Sequence, residues 1–171
     1  MKVLKKANPE EIIISPRFPY DTVVVSDIAY QQILKVQKML ISENIELILT
    51  RGYESSGKMV KWGHTVARLA GTVLFAVVYP QRIKECWEIF SSNGHDQSSR
   101  NCLDISIVYE GKYLNLLPYG VFTSRKCIKR LRDLHSHALG LVWDSLAREG
   151  FVVHENYTEA MQIHCELRSL P

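Results

Sequence analysis

The sequence predicts an α+β fold, an antiparallel sheet with packed helices. Three observations lead there. Residues alternate between polar and apolar in "CLDISIVY" and in the closing "EAMQIHCELRS", as half-buried strands do. "GKYLNLL" follows the first of these as its hairpin partner. Longer stretches with apolar residues at helical spacing precede and interrupt this group.

The elements follow in order. "EIIIS" is a short apolar run, and the two prolines of "SPRFPYD" mark an extended loop. Ser26 reads as the N-cap of a helix from about Asp27 to Ser42, with Ile33, Val36 and Leu40 on one face. "IELILTRGY" is a strand closed by the glycines and serines of "GYESSG". From Met59 to about Ser91 the pattern is helical, broken at Pro80. The polar stretch "SSNGHDQSSRN" leads into the first alternating strand. A long helix is expected from about Ser124 to Glu149, with Ile128, Leu131, Leu134, Ala138, Leu141 and Leu146 at helical spacing and Gly150 as its stop. "FVVHE" and the last strand complete the chain.

A length of 171 residues suits one domain, spanning 1–171. Hydrophobic residues make up 46% and charged ones 23%, which excludes a disordered or low-complexity chain. A net charge of +3 is too mild for a nucleic-acid surface, and the one basic cluster, "SRKCIKRLRD", fits the solvated face of a helix. The longest apolar run, "LAGTVLFAVVYP", falls short of the ~20 residues that cross a bilayer, so no membrane partner is expected. "MKVLKKANPEE" lacks the apolar core of a secretory signal, and four cysteines without a C-x-x-C pair suit free thiols in a reducing compartment. The expected location is therefore cytoplasmic.

Alternation also singles out candidate site residues. In the last strand Ile163, Cys165 and Leu167 share the core face, which turns His164 the other way. In "NCLDISI", Leu103, Ile105 and Ile107 do the same, which turns Asp104 away from the core. If the two strands are neighbours, a carboxylate and an imidazole converge. His95, in the polar stretch upstream, would add a second imidazole. Two histidines and a carboxylate with one position left for water form the usual catalytic zinc set. Spacing alone leaves open that Asp104 caps a turn or pairs with an arginine, and that His164 is a surface residue. His135 and His137 are a poor pair, two apart on a helix; His64 suits an apolar helical stretch; His154 is a minor alternative ligand.

At these residues the chain resembles the zinc D-Ala-D-Ala peptidases, dipeptidases included, whose fold is shared by the Hedgehog signalling domain. The family's first ligand motif is Ser-x-His-x-x-Gly-x-Ala-x-Asp followed by an apolar strand, and "GHDQSSRNCLDISI" is similar to it. "DISIVYEGKYLNLLPYGVF" is similar to the segment that follows that aspartate in the dipeptidases. "AREGFVVHENYTEAMQIHCEL" has the layout of the third-ligand region, and its "IHC" is close to the Hedgehog form. "LILTRGYESSG" resembles the strand that ends in Gly-Tyr-Arg. The likeness makes residues 45–167 a peptidase-like core and 1–44 an N-terminal extended segment and helix.

The resemblance implies zinc held by His95, Asp104 and His164, and a short peptide of cell-wall type as substrate. His95 stands nine residues before Asp104, where the family has seven. Met161 occupies the place of the family's general-base glutamate, three before His164, and Glu159 takes that role instead. Glu54 follows Gly-Tyr in place of arginine, so Arg51 is the substitute near the scissile carbonyl. Tyr53 and Ser98 would line the cleft. The alternative is a catalytically inactive domain of the same fold that binds a peptide or protein.

Overall fold

The structure, a computed structural model, describes residues 1–5, 12–17, 20–53, 58–83, 101–114, 125–154 and 162–168. Two compact units divide the chain: one comprises Met1–Tyr53 and Ser99–Pro171, the other Glu54–Ser98.

The first unit is α+β and rich in antiparallel pairing. Its strands are β1 (Lys2–Lys5), β2 (Ile13–Ile14), β3 (Thr22–Val25), β4 (Ile45–Arg51), β5 (Cys102–Tyr109), β6 (Lys112–Tyr113), β7 (Phe151–His154) and β8 (Ile163–Leu167). A six-stranded sheet runs in the order β2-β4-β5-β8-β7, with β6 pairing β5 off that path. The pairs β4/β5, β5/β8 and β7/β8 are antiparallel, but β2 lies parallel to β4. β1 and β3 form a separate antiparallel ribbon that the alternation pattern does not reveal.

One face of the large sheet is apolar. Leu47, Leu49, Ile105, Ile107, Ile163 and Cys165 join one core cluster with residues of α1 (Asp27–Leu40). Burying each such aliphatic side chain contributes about 1.5–3 kcal/mol. α1 begins as expected: Ser26 Oγ accepts the Ala29 N–H at 3.1 Å. It ends at Leu40, two residues early, because the chain tightens into a 3₁₀ turn over Ile41–Glu43 and then into left-handed Asn44 (φ 55°).

The long helix expected from Ser124 to Glu149 is two helices, α3 (Arg125–Leu134) and α4 (Ser136–Arg148), broken at His135. The break rotates the apolar register. Ala138, Leu139, Val142 and Leu146 of α4 are buried, while Leu134 is 71% exposed. Gly150 (φ 84°) then turns the chain into β7.

In the second unit a helix spans Lys58–Val78 and is followed by a 3₁₀ turn over Pro80–Arg82. Its end has a plain cause: the residue before a proline avoids helical geometry, and Tyr79 adopts φ −130° and ψ 64°. Among the described residues no helix is long and apolar enough to cross a membrane.

Candidate functional site

The opposite face of β4, β5, β8 and β7 carries a row of four polar residues. Asp104 and His164 are direct Cα partners across β5 and β8. Arg51 stands opposite Asp104 from β4, and His154 stands opposite His164 from β7. Directly opposed residues project to the same side of a sheet, so the order Arg51, Asp104, His164, His154 is built by strand register alone. A β-bulge between Leu49 and Arg51 brings the arginine to that register.

The central pair is in contact. His164 Nδ1 lies 2.5 Å from Asp104 Oδ1, and both residues are buried, at 7% and 4% exposure. Arg51 Nη1 lies 3.9 Å from Asp104 Oδ2, a long ion pair. The His154 and His164 ring centres are 5.6 Å apart with planes tilted 44°. Nε2 of both rings is buried.

A relay of hydrogen bonds braces the row from below. Thr50 Oγ1 donates to the Asp104 carbonyl at 3.1 Å, and Gln162 Nε2 donates to Thr50 Oγ1 at 3.0 Å. Arg17 Nη1 donates to Gln162 Oε1 at 3.2 Å, and the Arg17 N–H donates to the Thr50 carbonyl at 3.0 Å. The segment with the two prolines is thus tied to the site face through Arg17. Tyr53 is half-buried, its N–H fixed on the Val24 carbonyl at 2.7 Å. That approach requires Gly52, where any Cβ would overlap the same carbonyl oxygen.

The cysteines divide by environment. Among the described residues none is in a disulfide: Cys102 and Cys165 are buried, and Cys127 is exposed. Burial pushes the Cys165 thiol well above its ordinary pKa, and the nearby Asp104 and Cys102 add to that shift. Cys165 is thus held as a neutral thiol on the core side, unsuited to act as a thiolate ligand or nucleophile.

Of the residues expected from the sequence, Asp104, His164 and Arg51 come together. Tyr53 lies two residues beyond Arg51. His95, Ser98 and Glu159 lie outside the described residues. His154, only a minor candidate in the sequence, belongs to the row. Its position follows from the β7/β8 register, and only its place at the end of a short apolar strand hints at it.

The donor chemistry of the central pair suits zinc. Ligand atoms bound at about 2.0–2.2 Å on a tetrahedral ion stand roughly 3.3 Å apart, so the Asp104–His164 contact need open by less than about 1 Å. Among the described residues no three His, Cys, Asp or Glu side chains gather closely enough to share an ion as they stand. Comparison with known proteins finds no matching family model, no similar curated protein and no similar solved structure.

Proposed function

We propose that the protein is a zinc-dependent peptidase with the fold of the D-Ala-D-Ala peptidases and the Hedgehog domain, acting on a short peptide of cell-wall type. One observation carries the reading: Asp104 and His164, the two strand-borne ligands that the resemblance names, are register partners whose Oδ1 and Nδ1 meet at 2.5 Å on a buried polar face. The resemblance gives the third ligand position to His95. When bound, the ion supplies Lewis-acid polarisation of a carbonyl and lowers the pKa of a water molecule.

The chain's own groups supply the rest. Arg51, on the same row, steadies a developing oxyanion or a substrate carboxylate. Glu159 accepts the proton, a role that needs a reach of roughly 3 Å. Tyr53 and Ser98 line the substrate cleft. The expected setting is the cytoplasm.

Metal analysis of protein purified without chelator tests the reading. About one zinc per chain is expected, and its absence overturns the proposal. Release of D-Ala from D-Ala-D-Ala is then expected from the wild type and lost in Glu159→Gln. Full zinc loading without turnover on any D-amino-acid peptide identifies instead an inactive domain that binds a peptide.

A further inference from the structure

We propose that the helix Lys58–Val78 pairs with the same helix of a second copy of this chain through an exposed apolar stripe. This pairing is independent of the metal chemistry proposed above.

Spacing defines the stripe. Val66, Leu69, Val73 and Val77 recur at intervals of three and four, and Leu74 and Val78 widen the row to about half of the helix circumference. All of these side chains are between 47% and 73% exposed, whereas Phe75, on the other side, is fully buried. A helix in a globular protein ordinarily turns its apolar stripe inward. This one turns it outward.

Area and pattern say what covers it. With Ala70, the stripe presents on the order of 600 Å² per copy, at the upper end of what monomers leave bare. Joining two copies removes about 1,000 Å² from water, the size at which specific interfaces begin. Val66, Leu69 and Val73 fall at the a, d and a positions of a heptad. A β-branched residue at a with leucine at d favours two parallel helices over three or four. Such a face is also its own complement, as a two-fold interface requires. A helix that lies on a membrane keeps lysines and arginines along its polar face, but no charged residue occurs from Leu69 to Gln81.

Sedimentation equilibrium of the full chain over a range of concentrations tests the pairing. The wild type should show a reversible dimer. Val73→Glu sets like charges against each other and should raise the dissociation constant by more than about 100-fold, with the circular dichroism spectrum unchanged. Leu134→Glu, at an exposed leucine of α3, should leave the dimer intact. A wild type that stays monomeric at its highest soluble concentration overturns the proposal, and so does a dimer that survives both Val73→Glu and Leu69→Lys. A monomeric wild type that binds phosphatidylcholine–phosphatidylserine vesicles, with binding lost in Val73→Glu, gives the face to a lipid surface instead. Should the variants fail to fold, amide hydrogen exchange of the wild type decides. Protection over residues 66–78 should rise with protein concentration, and protection independent of concentration overturns the proposal.

Discussion

Two buried polar clusters in this protein differ in what they do with their hydrogen bonds. On α1, Gln37 is buried against β4: its Nε2 donates to the Ile45 carbonyl at 3.1 Å, and its Oε1 accepts the Leu47 N–H at 2.6 Å. β2 covers β4 only at Ile48 and Leu49, so the glutamine serves the stretch of edge that β2 leaves open. Its amide is neutral and both ends are spent on backbone. The Asp104–His164 pair joins two ionisable side chains to each other, with an arginine and another imidazole in line. The first arrangement completes a sheet. The second concentrates titratable groups where nothing in the sheet requires them, and that contrast separates a scaffold from a site.

Substitutions should break the two clusters in opposite ways. The largest effect is expected for Asp104→Asn, which should lower zinc affinity by more than about 100-fold in a chelator competition while shifting the metal-free melting curve little. Greater loss of stability than of affinity would make the pair a structural one. Gln37→Leu should do the reverse. It strands two buried backbone groups and should cost about 2–4 kcal/mol in urea unfolding, with zinc affinity of the folded protein unchanged. Thr50→Val probes the relay beneath the row, where loss of the bonds to Asp104 and Gln162 should cost about 1–2 kcal/mol in the same measurement.

The smallest effect concerns Cys165. Its folded pKa is raised by burial, so the unfolded chain releases this proton first as pH rises. The associated stability is fully present below the ordinary thiol pKa and is lost as pH climbs toward the folded value. In thiol labelling read by peptide mass, exposed Cys127 should react in the native protein and Cys165 only on unfolding.

Much of the first unit was legible because two-residue periodicity is a direct record of strand faces. It set Ile163, Cys165 and Leu167 against the core and turned Asp104 and His164 away from it. Periodicity does not say which strands adjoin or in what register, so the pairing of His154 with His164 was hidden. The parallel alignment of β2 was hidden for the same reason. The β1/β3 ribbon escaped because "KVLK" reads as a basic start and "TVVV" as an uninterrupted apolar run. At His135 neither glycine nor proline announces the break between α3 and α4. Only tertiary packing fixes the new register there.

The irregularity between Leu49 and Arg51 has one more consequence. Ile45, Leu47 and Leu49 all lie fully within the apolar interior, and strict alternation would send residue 51 after them. One surplus residue reverses that sidedness, so the cation's location is written in chain length rather than in side-chain identity. Exchanging residue 51 changes the charge where it stands. Excising Thr50 would instead take up the surplus residue and leave the guanidinium directly after Leu49, still opposite Asp104, with the hydroxyl that braces the Asp104 carbonyl lost.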